Sequence, residues 1–271
     1  MDKKIVTIRG GDGNIINMEV YEYLPSTTLL ARQYANEGYP DRYVVFSERR
    51  LKPTVSGKRQ ETDTEEGMYM SCILRPSLFP SQASLLGALS ATALATALEE
   101  HTGCRIGIGW VSDIYCDGVR IGGVSIEGKL DNYTTYEYII ATFAVRLDKR
   151  SFPPRLTDMI RKVFESDNTS ISMIIARTVL SKFIGLYSTV KTSSKFMDTY
   201  TSRFILRGKR VKYLTPEKKH ICKVVGVDTK SGALIVETKG GETESIISPK
   251  SVLIPKRVRL PKINSRKAKN Q

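Results

Sequence analysis

Two apolar, β-rich runs joined by a short turn constrain the fold of this chain more than any other feature. The first run covers residues 107–115 and the second covers residues 120–127, with Asp117 and Gly118 between them. An Asp-Gly pair between two such runs is typical of a β-hairpin, because both residues tolerate the positive φ angles of a tight turn. We therefore predict strand, tight turn and strand here.

Strand patterns and apolar helices alternate over the first two hundred residues. The patterns predict strands at 5–9, 15–23, 43–46, 68–74 and 136–145, and helices at 25–37, 81–101, 154–165, 169–187 and 193–201. Ser26 or Thr27 is the expected N-cap of the first helix and Gly38 its end. A cap near residues 167–169 is expected to start the fourth helix. The polar segment 47–67 has no periodicity and is expected to be a long loop.

From Phe204 onwards the pattern changes to short strand-like runs separated by turns. The runs cover residues 210–214, 221–227, 234–238 and 245–247, and turn residues occupy 228–232 and 239–241. Short strands at this spacing are typical of a small barrel.

The charge of the chain is strongly positive. Its 271 residues carry a formal net charge of +14, and residues 256–269 contain seven Lys or Arg and no acid. We expect this tail to be a solvated, disordered extension, with an anionic partner as the alternative. The sequence lacks a zinc finger and a spaced aromatic platform, so nucleic-acid binding is expected to be weak, non-specific and salt-sensitive.

The remaining composition is that of an ordinary globular protein. Hydrophobic residues make up 41% of the chain and charged residues 26%. The four cysteines have no paired spacing, so neither a metal site nor a disulfide is expected. We found no uninterrupted apolar run long enough to cross a bilayer and no signal-peptide pattern, which predicts a cytoplasmic protein without membrane association.

Five sequence pieces occur in the order found in one known family. The hairpin supplies Trp110, Asp113, Tyr115, Gly123 and Glu127; the other pieces contain Ser26-Thr27-Thr28, Tyr69-Met-Ser71 with Arg75-Pro76, Thr199–Val211 and Val227–Leu234. Over about residues 14–254 the chain thereby resembles the biotin protein ligases. The resemblance implies a mixed α/β (α+β) catalytic domain related to the lipoate ligases at residues 1–202. It also implies an SH3-like barrel at 203–255, followed by the basic tail at 256–271.

In that family, ATP activates biotin as an acyl adenylate with release of pyrophosphate, and a lysine of a carrier domain then attacks the adenylate. The resemblance therefore implies ATP with Mg²⁺ and biotin, or a related small carboxylate, as ligands. It implies an acidic biotin carrier domain or a related ligase as the partner, and it leaves a homodimer open. The family's winged helix for DNA binding is not expected, because the catalytic domain begins almost at Met1.

This chain departs from the family at the residues that supply positive charge. Gly109 stands at the position of the catalytic lysine, and the Gly-Arg-rich loop is reduced to Gly57, Lys58 and Arg59. A preorganised charge of this kind is worth about 10²–10³ in rate. Phe143 replaces a glycine of the family and is expected to fill space that the nucleotide needs. A catalytically inactive relative that binds a ligand or regulates a partner is therefore the alternative to an active ligase.

The candidate site residues each have a structural alternative. Ser26, Thr27, Trp110, Asp113 and Gly123 are the candidates for binding the small acid. The alternatives are an N-cap for the first two, a hydrophobic anchor for the indole, backbone hydrogen bonds for the carboxylate and a strand irregularity for the glycine.

The candidates for binding phosphate are Arg49, Lys58 and Arg59, with Arg50 as a further basic residue nearby. Their alternative is a role as solvated loop charges. No residue is a confident catalytic candidate, because the lysine position is Gly109.

Overall fold

The computed structural model of the chain describes residues 3–51, 64–76, 79–80, 83–131, 135–147, 170–190, 195–214, 219–248, 252–253 and 258. The predicted helix at 154–165 and most of the basic tail lie outside these residues. The rest forms a mixed fold of helices and two sheets, which confirms the predicted class.

Eight strands form the larger sheet. They are β1 (Lys4–Arg9), β2 (Ile15–Tyr23), β3 (Val44–Leu51), β4 (Thr64–Leu74), β5 (Ile106–Gly109), β6 (Asp113–Cys116), β7 (Val119–Leu130) and β8 (Tyr136–Arg146). Their order in the sheet is β1-β2-β3-β4-β8-β7-β6-β5. Among the described strands, β2 and β3 form the one parallel strand pair of this sheet, and α1 (Thr27–Asn36) connects them.

The Asp-Gly turn is confirmed, but the first strand of the hairpin is not continuous. Asp117 and Gly118 have φ angles of 47° and 79° between β6 and β7. Residues 107–115 themselves fold back, so that Gly109 lies opposite Asp113 in a second antiparallel pair. The prediction of one strand over 107–115 was therefore wrong, because residues 110–112 form a turn that periodicity does not reveal.

β3 and β4 extend further than predicted. Leu51 still pairs with Thr64, so the pairing continues through residues assigned to a loop. The alternation of apolar and polar residues did not predict this part of β3, because Arg49 and Arg50 are polar although they are half-buried. The prediction of a loop over the whole of 47–67 was therefore wrong, and residues 52–63 lie outside the described residues.

Two long helices cover one face of the larger sheet. They are α2 (Ala83–Thr102) and α3 (Ile171–Ser188), and they pack on each other and on Met70, Phe143 and other residues of the main hydrophobic core. Ser170, not a residue of the segment 167–169, caps α3 by accepting a hydrogen bond from the Met173 amide. The cap residues predicted there lie outside the described residues.

α3 is long and apolar enough to cross a membrane by composition alone. However, 56% of that stretch is buried inside the protein, as expected for a core helix. A short helix, α4 (Phe196–Arg203), follows it. The opposite face of the sheet carries α1, which packs on a smaller cluster that includes Ala31, Val45, Ile73 and Ile140. We call this second side the α1 face.

The smaller sheet contains five antiparallel strands. They are β9 (Arg210–Leu214), β10 (Lys219–Val227), β11 (Leu234–Glu237), β12 (Thr243–Ile246) and β13 (Val252–Leu253), in the order β12-β11-β10-β9-β13. The short strands follow the predicted pattern and are compatible with an SH3-like barrel. The division into domains at residues 202 and 255 remains a prediction.

Candidate functional site

Four hydroxyl groups meet where the N-terminus of α1 reaches the sheet. Ser71 Oγ donates to Thr27 Oγ1 at 2.8 Å and lies 2.8 Å from Thr142 Oγ1, which in turn lies 2.9 Å from Thr28 Oγ1. Ser26 caps α1 by accepting a hydrogen bond from the Leu29 amide at 3.3 Å. We call Thr27, Thr28, Ser71 and Thr142 the hydroxyl end of the α1 face.

A buried carboxylate lies under the other half of α1. Glu19 is 1% exposed and accepts hydrogen bonds from Lys3 and from the hydroxyls of Tyr21, Tyr34 and Tyr43 at 2.7–3.0 Å. Burial by itself would raise the pKa of this carboxyl group. The four hydrogen bonds outweigh burial and lower the pKa of Glu19 to about 2. The carboxylate is therefore charged and fully partnered at neutral pH.

One row of residues crosses six strands on the α1 face. The paired positions are Ser47, Tyr69, Ala144, Gly123, Asp113 and Gly109. Directly opposite residues in antiparallel strands point to the same face, so all six share it. Along β8, Thr142 precedes Ala144 by two residues and Arg146 follows it by two. The hydroxyls and Arg146 therefore lie about 13 Å apart along the strand.

Three arginines surround the far side of this row. Arg50 donates to Glu65 at 3.0 Å and lies over the ring of Tyr69 at 4.4 Å. Arg146 lies 3.8 Å from Glu65 and also donates to the Arg120 carbonyl at 3.2 Å. We call Arg50, Arg120 and Arg146 the arginine end.

The arginine end has more positive than negative charge. Arg120 pairs with Asp113 at 2.6 Å, so three guanidinium groups share the two carboxylates of Glu65 and Asp113. Burial raises the pKa of Asp113, and the Arg120 charge only partly opposes this shift. An anion would be attracted to this end.

Gly109 lies at the end of the row, and a side chain there would point onto the same face as Asp113. A Cβ atom at this position would lie 2.9 Å from the ring of Tyr115 and 3.3 Å from Asp113 Cβ. Tyr115 is completely buried. The ring therefore occupies the space that the first atoms of a lysine side chain would need.

Trp110 and Gly123, two of the predicted ligand-binding residues, each have a contact within the protein that explains the residue type. Trp110 is buried in the main core, and its indole N–H donates to the Gly232 carbonyl at 2.9 Å. A Cβ at Gly123 would lie 2.8 Å from the Ser112 carbonyl oxygen. Glycine is thus required for the close approach of the turn at residues 110–112. These contacts favour the anchor and strand alternatives, while a ligand role for either residue stays a prediction.

Arg49 is the one predicted phosphate candidate that lies among the described residues. Arg49 forms an ion pair with Glu22 and belongs to β3, one residue before Arg50. Lys58 and Arg59 lie outside the described residues. Sequence reasoning missed Arg146 and gave no charge role to Arg120. The alternation of β8 was the available signal, because Arg146 has the same parity as Thr142.

Phe143 does not fill the α1 face. Its ring is fully buried on the opposite side of β8, with its centroid 5.1 Å from that of Phe183 in α3. Residue 143 has the opposite parity to Thr142 and Ala144, so its ring takes no space on that face. The expectation that it fills space needed by a nucleotide stays a prediction. Within the described part of the chain, no group of three His, Cys, Asp or Glu side chains could hold a metal ion.

Comparisons with known proteins show what the chain resembles. No family model matches the chain. It is 26% identical over 153 residues to the bifunctional ligase/repressor BirA of Bacillus subtilis, which covers 56% of this chain and 47% of that protein. It is 23% identical over 226 residues to BirA of Bacillus spizizenii, covering 81% and 69%. The chain thus spans about half the length of the first relative.

Solved structures give the same answer for the fold. Biotin protein ligase from Aquifex aeolicus in complex with biotin and ATP has a TM-score of 0.64 at 21% identity, covering 87% of this chain and 97% of that one. A biotin protein ligase-like protein of unknown function from a Silicibacter species has a TM-score of 0.58 at 13% identity, covering 85% and 94%.

The chain therefore has the fold of the biotin protein ligases. The resemblance seen in its motifs is confirmed, and its sequence is weakly similar to that of the BirA proteins.

Proposed function

We propose that this chain binds biotin or a related small carboxylate on the α1 face, activates it with ATP as an acyl adenylate, and transfers it to a lysine of a carrier protein. The observation that carries the proposal is the hydroxyl end. Its four hydroxyls lie at a helix N-terminus and on two central strands, about 13 Å along β8 from an arginine group with excess positive charge. The Aquifex aeolicus relative is a complex with biotin and ATP, which supports the same pair of ligands.

In the first step, a carboxylate oxygen of the acid attacks the α-phosphorus of ATP, and the bond to the leaving pyrophosphate breaks. The hydroxyl end would hold the polar head of the acid. Arg50, Arg120 and Arg146 would stabilise negative charge on the phosphates, since preorganised donors at the transferring group lower the barrier. Mg²⁺ would come with the nucleotide, because it prefers phosphate and water oxygens to a dedicated protein cage.

In the second step, the carrier lysine attacks the acyl carbon as the free amine, an amide forms and AMP leaves. The basic surface of the chain is suited to an acidic carrier domain. We place this reaction in the cytoplasm. Neither step requires sequence-specific binding of nucleic acid.

A second function is favoured by a specific observation at Gly109. The lysine that the family uses is absent, and the Tyr115 ring fills the space beside Cα. The second candidate is therefore a non-catalytic relative that keeps the acid site and acts as a binding or regulatory subunit. This protein would bind biotin and show no turnover.

Two measurements on the intact chain separate these functions. The first is pyrophosphate release with biotin, ATP and Mg²⁺, followed by biotin transfer to a carrier domain. The second is calorimetry with biotin and with ATP separately. Pyrophosphate release that depends on biotin supports the ligase, and biotin binding without release supports the non-catalytic relative. If the chain binds neither biotin nor ATP, both proposed functions are rejected.

A further inference from the structure

The outer face of the smaller sheet combines basic and aliphatic side chains. Along β10, residues 219, 221, 223 and 225 are exposed, while Cys222 and Val224 are buried. Register places Lys212 opposite Ile221 and Arg210 opposite Lys223 on the neighbouring strand. Leu253 of β13 lies opposite Lys212 on the other side. These residues therefore share one face, because directly paired residues point the same way.

Positive charge predominates on this face. We define the basic face as Arg210, Lys212, Lys219, Ile221, Lys223, Val225 and Leu253. Glu237 is the one acid paired in register with these residues, and it lies 3.6 Å from the ammonium group of Lys223. The other three cations have no acid opposite them in the strand pairings of the described residues. The face therefore attracts anions.

The aliphatic side chains lie among the cations. Ile221 is 49% exposed, Val225 is 40% exposed and Leu253 is 49% exposed. Apolar residues on the solvent side of a sheet lose free energy when water leaves them, so a partner that covers them gains affinity. An apolar centre with charged neighbours is the arrangement found at protein–protein interfaces.

We infer that the basic face is a docking surface for a protein that presents acidic side chains around an aliphatic patch. A second copy of the chain is disfavoured, because symmetric pairing would bring cation to cation. The chain's own segment 256–269 is disfavoured for the same reason, since it carries seven cations and no acid. The inference stands apart from the proposed function, because it does not require that the chain activate biotin.

Nucleic acid fits this face less well than an acidic protein. Single strands bind mainly by stacking their bases on aromatic side chains. None of the seven residues is aromatic, and Tyr213 of β9 has the opposite parity and lies half-buried near the ring of His220. The aliphatic residues would add nothing to contacts with phosphates. The geometry therefore favours a protein over an oligonucleotide.

The experiment uses the full chain and three fluorescent probes. The first is an acidic peptide of glutamates with interspersed leucines, the second replaces the leucines with serines, and the third is oligothymidylate of equal charge. Binding is measured by anisotropy at low salt. The test variant is Lys212→Glu/Lys223→Glu, and the matched control is Lys4→Glu/Arg9→Glu on exposed β1, which changes the net charge equally.

The expected result is specific to the face and to the probe. The test variant should bind the leucine peptide at least about 10-fold more weakly than the wild type, and the control within about 3-fold. The leucine peptide should bind more tightly than the serine peptide, and Ile221→Ser should remove that difference. Lys212→Gln/Lys223→Gln, a milder change, should weaken binding in the same direction if the charge reversal fails to fold.

Three outcomes would overturn the inference. Equal weakening by the test and control variants would mean that binding follows overall charge. Equal affinity for the leucine and serine peptides would remove the role of the aliphatic residues. Tighter binding of oligothymidylate than of the leucine peptide would assign the face to nucleic acid.

Discussion

The polar groups at the two ends of the α1 face are partnered in opposite ways. At the hydroxyl end, neutral groups bond to one another, and nearby Glu19 has four donors. At the arginine end, three guanidinium groups share two carboxylates, and burial raises the pKa of Asp113. The first arrangement is self-sufficient and stabilises the fold. The second leaves excess charge, which is useful only when an anion is present.

The largest expected effect is on stability, at the buried Glu19 carboxylate under α1. Glu19→Gln should lower the free energy of unfolding at pH 7 by about 3 kcal/mol, since each pKa unit between states corresponds to about 1.4 kcal/mol and Glu19 falls from 4.5 to about 2. Denaturant titration measures this value. Glu22→Gln is the control, because Glu22 is exposed and, among the described residues, its ion pair is with Arg49.

The same carboxylate predicts a pH dependence. A lowered folded-state pKa gives stability that is present above the unfolded value and lost as pH falls towards the folded one. The wild type should therefore lose stability between about pH 4.5 and pH 2, and Glu19→Gln should lose less across that range. Equal slopes for the two proteins would show that Glu19 is not the buried ion described above.

A smaller effect on the free energy of unfolding is expected from the Thr142 hydroxyl, which Ser71 and Thr28 share. Thr142→Val keeps the shape of the side chain but leaves Ser71 and Thr28 without their common partner, which should cost about 1–2 kcal/mol. If the hydroxyl end binds the acid, biotin affinity measured by calorimetry should fall about 10-fold. Thr201→Val in α4 removes only a local bond to the Asp198 carbonyl and is the control. Unchanged biotin affinity in Thr142→Val would place the acid elsewhere.

The arginine end should affect the nucleotide alone. Arg146→Gln is expected to weaken ATP binding about 10-fold, the loss typical of one charge-assisted contact, and to leave biotin affinity unchanged. Arg9→Gln on β1 removes an exposed charge far from the site and should change neither affinity. A parallel loss of both ligands in Arg146→Gln would mean that the two ends are not separate.

The smallest effect is expected at Asp113. Because burial raises its pKa, the native state becomes less favourable as pH rises through the acidic range, opposite in sign to Glu19. Asp113→Asn should therefore change the free energy of unfolding at pH 7 by less than about 1 kcal/mol, since partly exposed pairs contribute little. A loss comparable to that of Glu19→Gln would show that the Arg120 pair is structural.

Local chemistry made part of this molecule predictable. The Ser26 cap, the Gly38 helix end with a φ angle of 88° and the Asp-Gly turn depend on neighbouring residues, and all three are present. The fold class followed from ordered motifs. By contrast, the helix predicted from residue 169 begins after Ser170, since cap choice among adjacent polar residues depends on tertiary context.

Long-range contacts, and which strand residues face one another, could not be predicted from neighbouring residues. Trp110 bonds to Gly232, which is 122 positions away, and no local pattern announces such a pair. The turn at residues 110–112 changed which residues face one another, so the pairing of Gly109 with Asp113 was missed. The alternation of β8 was a usable signal for Phe143, because it places this ring on the side of the sheet covered by α3, against Phe183.

We propose that the chain keeps the acid-binding end and lacks one positive charge at the nucleotide end. Gly109→Lys tests it most directly, with Gly109→Ala as the matched variant that meets the same contact with the Tyr115 ring. The measurement is biotin-dependent pyrophosphate release. We predict that Gly109→Lys is faster than Gly109→Ala by about 10²-fold, the typical value of one preorganised charge. Equal rates for the two variants would contradict the claim.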